Sequence, residues 1–205
     1  MTGHATSSAD ERPALRRELR ARRRAIQGAA RQRAARQLAI QVNASHLLRA
    51  GQRVGLYLSM ADEIDTGPLL RLALALGCHV ALPRIVSLRH DRMRFHDWTG
   101  VVKRGAYGIR EPQGGRMRTA RELDVVFLPL VGFDARGNRI GMGRGFYDRH
   151  FAQRLRLSRY RRPLLVGLAY DVQQVDTLTR TAHDVPLDAI VTESSIRRFH
   201  GAVPA

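Results

Sequence analysis

The chain has 205 residues, 44% of them hydrophobic, with 35 basic against 18 acidic side chains and a formal net charge of +17. That length suffices for one α/β domain whose core needs no disulfide or metal staple. A single cysteine, Cys78, excludes an intrachain disulfide framework and Cys-cluster zinc sites, and a single lysine, Lys103, sits in a context that excludes a Walker A loop and a kinase VAIK strand.

Residues 1–10 read as a disordered lead and 11–200 as a single α/β domain. No apolar stretch reaches about 18 residues, and the first ten residues lack an apolar core, so neither a transmembrane helix nor a secretory signal is expected. The expected location is the cytoplasm. Residues 11–49 are rich in Ala, Arg, Gln and Leu and predict helices, divided at Gly28. Eleven arginines against three acids fall within residues 1–50, and Arg17, Arg20 and Arg22 to Arg24 read as a solvated face.

From Arg53 the pattern changes. Residues 53–58 predict a buried strand, 59–65 a loop, 69–76 a helix opened by Gly67-Pro68, and 78–82 a second strand closed by Pro83. Residues 93–98 alternate like an edge strand, 105–118 read as a loop, and 125–131 as a strongly apolar strand. A glycine-rich loop over 133–145 precedes a helix over 146–157, and short strands follow at 164–169 and 189–192. Strands alternating with helices predict a mostly parallel open sheet covered by helices on both faces, a Rossmann-like single domain.

The densest chemistry lies in Arg139-Ile140-Gly141-Met142-Gly143-Arg144-Gly145-Phe146-Tyr147-Asp148-Arg149. Glycines at alternate positions let the main chain approach a ligand and adopt positive φ. Their N–H groups and two guanidinium groups suit phosphate oxygens, and Asp148 is placed to hold Mg²⁺ beside them. The same segment can also be read as a plain glycine-rich turn with a capping acid.

This segment resembles the signature of the 5-formyltetrahydrofolate cyclo-ligase (methenyltetrahydrofolate synthetase) family, roughly R-L-G-x-G-x-G-[YF]-Y-D. Further matching stretches are Tyr57 to Thr66, Gly108-Ile109-Arg110-Glu111-Pro112, Leu168-Ala169-Tyr170-Asp171 and His183-Asp184-Val185-Pro186-Leu187-Asp188, all in the family's order. The resemblance implies ATP- and Mg²⁺-dependent closure of 5-formyltetrahydrofolate to 5,10-methenyltetrahydrofolate, with ADP and phosphate released.

It also implies roles. Arg12, Pro13, Ala14, Leu15 and Arg16 on the first helix would bind ATP, together with Arg139, Ile140, Gly141, Met142, Gly143, Arg144, Gly145, Phe146 and Tyr147. Many family members carry Lys where Arg12 stands; the charge is kept in a planar, bulkier head. Leu58, Glu63 and Tyr107 would bind the folate, as would Met142, Gly143, Arg144, Gly145 and Phe146. Asp148 and Asp184 would hold Mg²⁺, with Asp188 as the alternative to the second. Arg144, Tyr147 and Asp148 would carry the catalysis. On its residue type alone, Glu63 serves equally well as a capping or surface acid.

The expected partners are ATP and 5-formyltetrahydrofolate, with or without a polyglutamate tail, with no membrane and no specific nucleic acid. A monomer is expected. The charge and the arginine-rich first helices support a competing class, a basic nucleic-acid-binding module, although no RNP1, KH or helix-turn-helix pattern occurs. A sugar-phosphate isomerase or acyl-transfer domain of similar build is a third reading; no suitable base lies beside the glycine loop.

Overall fold

The computed structural model describes residues 12–156 and 162–199. The expected disordered lead, residues 11 and 200 at the limits of the expected domain, and residue 157 at the expected end of a helix lie outside the described residues. In chain order the elements are helices α1 (Arg12–Arg24) and α2 (Gly28–Ala44), strand β1 (Arg53–Gly55), helix α3 (Gly67–Ala75), and strands β2 (His79–Ser87), β3 (Arg92–Asp97), β4 (Val102–Arg104), β5 (Arg110–Pro112), β6 (Met117–Arg118), β7 (Val125–Pro129), β8 (Gly132–Phe133) and β9 (Arg139–Ile140). Helices α4 (Phe146–Phe151) and α5 (Gln153–Arg156) and strands β10 (Leu164–Leu168), β11 (Ala189–Val191) and β12 (Ile196–Arg198) complete the fold.

Eight strands form one sheet in the order β12-β11-β10-β7-β1-β2-β3-β6. The five from β11 to β2 pair in parallel, and the flanking strands β12, β3 and β6 are antiparallel. The mostly parallel α/β domain expected from the sequence is thus observed. Central strands lack polar alternation because both faces are covered. In β7, Val125 and Phe127 pack into the cluster beneath α2 and α3, whereas Val126 and Leu128 pack into the cluster containing Phe151 of α4.

Several boundaries differ from expectation for identifiable reasons. β1 closes at Gly55, although Leu56 still donates its N–H to the Ala81 carbonyl (2.9 Å). β2 runs through Pro83 to Ser87 instead of stopping there. Its partner β1 ends opposite Ala81, so Pro83 pairs on one side only, and a missing donor is tolerated there. The expected loop over 105–118 contains β5, β6 and a short 3-10 turn at Ala106–Gly108; its glycine content hides strands of two or three residues. The helix expected from Phe146 is divided into α4 and α5.

α1 lies against the smaller sheet β8–β9. Leu19 packs with Val131, Ile140 and Leu178, and Leu15 joins that cluster from its edge. Gly132 permits the approach: a Cβ there would stand 2.4 Å from a Leu19 methyl. Among the described residues, no helix is long and apolar enough to cross a membrane.

Candidate active site

The sheet itself designates the site. The chain leaves β1 through α3 to β2 on one side, and leaves β7 through α4 and α5 to β10 on the other. Adjacent strands whose connections diverge open a crevice beyond their carboxyl ends. A cavity of about 520 Å³ lies there, walled by the loops after β1 and β7 and by the start of α1. That volume is in the range of small-molecule sites.

One end of the cavity is cationic. Arg12 donates to Asp184 Oδ2 (3.2 Å), and Arg16 Nε donates to the Gly141 carbonyl (2.9 Å). Both arginines line the cavity four residues apart, on one face of α1. Burial, and then the neighbouring charge of Arg12, lower the pKa of Arg16, so an entering anion would relieve repulsion between the two. Arg139 is buried on β9 and donates to Asp148 Oδ1 (2.7 Å), while its Nε has no partner among the described residues. Arg144 is exposed, 3.7 Å from Asp91 and with its guanidinium 5.3 Å from the Tyr107 ring centre. Between them Gly143 adopts φ +101°, a conformation that strains any other L-residue.

Asp148 and Asp184 share this end. Asp148 Oδ1 also accepts the Val185 N–H (3.0 Å), which ties α4 to the segment carrying Asp184, and Asp184 Oδ2 also accepts the Thr181 N–H (2.8 Å). Oδ2 of Asp148 and Oδ1 of Asp184 make no hydrogen bond among the described residues. Asp188 is elsewhere: Arg154 grips it with two bonds (2.6 and 2.8 Å), and it accepts the Leu165 N–H (2.7 Å). It is a structural acid, and the alternative metal role expected for it is set aside. Among the described residues no group of three or more His, Cys, Asp or Glu is clustered for a metal. Two carboxylates suit Mg²⁺, which keeps several waters and takes phosphate oxygens rather than an all-protein cage.

The other end is acidic and aromatic. Glu63 is buried and its Oε2 accepts the Met60 N–H (2.9 Å). Loss of water raises its pKa, against the opposing pull of the Met60 N–H and of Arg23. Tyr147 lines the same wall, and burial together with the Glu63 charge raises its phenol pKa. Tyr107, half-exposed with φ +56°, lies beside the Arg144 guanidinium and so joins this part of the wall to the glycine loop.

Most residues named from the sequence therefore converge. Arg12, Arg16, Glu63, Tyr107, Arg139, Asp184 and the run Gly141 to Asp148 all line the cavity. Pro13, Ala14, Leu15, Leu58 and Ile140 do not. Leu15 and Ile140 pack in the cluster under α1, and Leu58 packs against the main core. Met60, Ile109, Pro129 and Leu130 also form the wall. Met60 and Ile109 belong to the matched stretches Tyr57 to Thr66 and Gly108 to Pro112, which was the available signal for them. Arg23 corrects the reading of a solvated face: it is 2% exposed and bonded to Asp62. Arg22 pairs with Glu18, and Arg20 and Arg24 lie 3.8 Å from Asp62, so much of the first helix's charge is engaged within the molecule.

Known proteins resemble this chain over most of its length. A family model described as "5-formyltetrahydrofolate cyclo-ligase family" matches residues 8–193. A 5-formyltetrahydrofolate cyclo-ligase of Escherichia coli is 32% identical over 183 residues, covering 87% of this chain and 98% of that one. One from Haemophilus influenzae is 36% identical over 143 residues, covering 68% and 74% of the two chains. The solution structure of Aquifex aeolicus 5,10-methenyltetrahydrofolate synthetase superposes with a TM-score of 0.79 at 27% identity, over 95% of this chain and 96% of that one.

Proposed function

The chain belongs to the 5-formyltetrahydrofolate cyclo-ligase family, and from that premise we propose that it closes 5-formyltetrahydrofolate to 5,10-methenyltetrahydrofolate at the expense of ATP. The observation that carries the proposal is the two-ended cavity, with arginines, a glycine loop and two carboxylates at one end and the buried Glu63 at the other. A triphosphate is a polyanion and suits the first end. A pterin presents N–H groups in a guanidine-like edge and suits a fixed carboxylate.

The chemistry explains why both ends share one cavity. The formyl oxygen is a poor leaving group. When it attacks the γ-phosphorus, a P–O bond forms, the bond to the bridging oxygen breaks, and ADP departs. The resulting imidate phosphate then accepts N10 at its carbon; N10 loses its proton, the C–O bond breaks, and phosphate leaves with the former formyl oxygen. The product is the cationic methenyl bridge. The protein's work is alignment and charge neutralisation. Arg12 and Arg16 hold the triphosphate from α1, the main chain of Gly141 to Gly145 wraps it, and Arg139 and Arg144 balance charge on the transferred group. Glu63 and Tyr107 orient the folate. Asp148 and Asp184 would hold Mg²⁺, which when bound shields the phosphate oxygens from the incoming nucleophile. Tyr147, whose phenol feels the charges of both Glu63 and Arg139, closes the wall and would bear on the reacting atoms.

The proposal includes a monomer acting in the cytoplasm on folate with or without a glutamate tail; the excess positive charge would speed encounter with both polyanions. Its test is the absorbance of the methenyl product after MgATP and 5-formyltetrahydrofolate are mixed with folded protein. Product formation that requires both substrates is expected. No product from folded protein would remove the assignment.

A further inference from the structure

We propose that Arg23 is a positioning residue for the folate end of the site, holding the Glu63 carboxylate in place from the buried stripe of α1. The proposal deepens the reading of Glu63 as the folate-binding acid and rests on it.

Leu15, Leu19 and Arg23 recur every four residues and so form one stripe of α1. The two leucines pack in the cluster under α1. The third position is an arginine as buried as Leu19 and more so than the partly buried Leu15. A well-packed aliphatic side chain commonly serves such a position as well as a buried ion, or better. The guanidinium is also incompletely satisfied, since its Nε has no partner among the described residues. Stability alone does not account for it.

Its contacts do. Nη2 donates to Asp62 Oδ2 (2.7 Å), Nη1 donates to the Leu130 carbonyl (3.2 Å), and Nη1 lies 3.9 Å from Glu63 Oε1. Leu130 and Glu63 are both cavity wall. Arg23 is also the chief partner of Asp62, but Asp62 keeps two further basic neighbours, Arg20 and Arg24, at 3.8 Å. Glu63 is different: among the described residues, Arg23 is the one basic side chain recorded within 4 Å of its carboxylate. The other groups around Glu63 do not replace it. The Met60 N–H donates to Oε2 but carries no charge, Arg31 of α2 donates to the Glu63 main-chain carbonyl and adds a smaller favourable charge, Asp62 is a like charge, and Tyr57, Tyr147 and Tyr170 are phenols, of which Tyr170 also donates to that carbonyl. A buried carboxylate without a cation takes up a proton and loses its strength as an acceptor.

α1 then links the two substrates. Arg12 and Arg16 begin it at the phosphate end and Arg23 closes it at the folate end, roughly 16 Å along at 1.5 Å per residue. The helix sets the distance between the triphosphate grip and the folate carboxylate.

The test uses the full-length protein with Arg23→Met, Arg23→Lys and Glu63→Gln. Steady-state KM is measured for 5-formyltetrahydrofolate and for MgATP, and Glu63 is titrated by carboxyl carbon NMR without substrates, assigned through Glu63→Gln. Arg23→Met is expected to raise the KM for 5-formyltetrahydrofolate about tenfold through loss of the carboxylate's hold, to leave the KM for MgATP within about twofold, and to move the Glu63 pKa upward. Arg23→Lys should restore the titration and most of the KM, because the charge is kept without the fork. If Arg23→Met does not fold, Arg23→Gln carries the same comparison. An unmoved Glu63 titration in the neutral variant, or equal rises in both KM values, overturns the proposal. A moved titration with the folate KM unchanged in both Arg23→Met and Glu63→Gln sinks the folate role of Glu63 and leaves the hold of Arg23 upon it.

Discussion

The loop after β1 and the loop following β9 face one cavity and are held in opposite ways. In the first, side chains bond the main chain at nearly every step. Thr66 donates its hydroxyl to the Tyr57 carbonyl (2.6 Å), the Met60 N–H reaches Glu63 (2.9 Å), and the Gly67 N–H reaches Asp65 (3.0 Å). In the second, Met142, Gly143 and Arg144 are exposed, and the Arg16 bond to Gly141 is the tie from α1. The difference suits the roles proposed: a carboxylate meant to read a ring edge gains from a fixed direction in a braced loop, and a main chain meant to wrap phosphate gains from N–H groups left free.

The largest expected effect tests the metal at the phosphate end. Asp148→Asn keeps an acceptor for Arg139 and the Val185 N–H but removes the charge. Turnover should fall at least about 100-fold while the circular dichroism spectrum is unchanged. Near wild-type turnover at saturating Mg²⁺ would show that the carboxylate only braces α4. Next, Glu63→Gln addresses the braced loop. Loss of one charge-assisted pair predicts a KM for 5-formyltetrahydrofolate higher by about 10- to 30-fold, with MgATP unaffected. Equal changes in both would mean that the two ends are not separate binding regions.

Gly143→Ala probes the open loop. No atom lies closer than 3.7 Å to the added Cβ, so the effect is conformational rather than steric. Forcing φ +101° on alanine should raise the KM for MgATP by about tenfold and spare the folate KM. The smallest effect concerns the seat of α4. Burial, and then the charge of Arg94, bring the His150 pKa down to about 4. The unfolded chain takes up that proton near pH 6.5, so stability is complete above that value and declines as pH falls toward about 4. The loss between pH 7 and 5 should be of order 1–2 kcal/mol, read by chemical denaturation, and absent in His150→Leu.

Much of this was legible in the chain. Continuous apolar runs such as Val125 to Leu128 announce strands covered on both faces, because a sheet position without polar alternation has no solvent side. The run from Arg139 to Asp148 announces its chemistry because glycines, arginines and an acid are packed into ten positions. Pro83 misled because a proline within a strand depends on which neighbours flank it, and that is a property of the sheet. Asp188 and Asp184 could not be ranked as metal ligands from spacing, since the arginine that claims Asp188 lies 34 residues away.

Local sequence determined which segments bury an apolar face and where the main chain could wrap a ligand, because periodicity and glycine spacing act over a few residues. The tertiary structure decided which charges meet: Arg23 follows the helical stripe of Leu15 and Leu19, yet only the packing of α1 against the loops that follow β1 and β7 supplies Asp62, Glu63 and the Leu130 carbonyl to receive it. Coulombic and hydrogen-bond partners are short-ranged in space and unrestricted along the chain, so their pairing is settled when the sheet and helices close together.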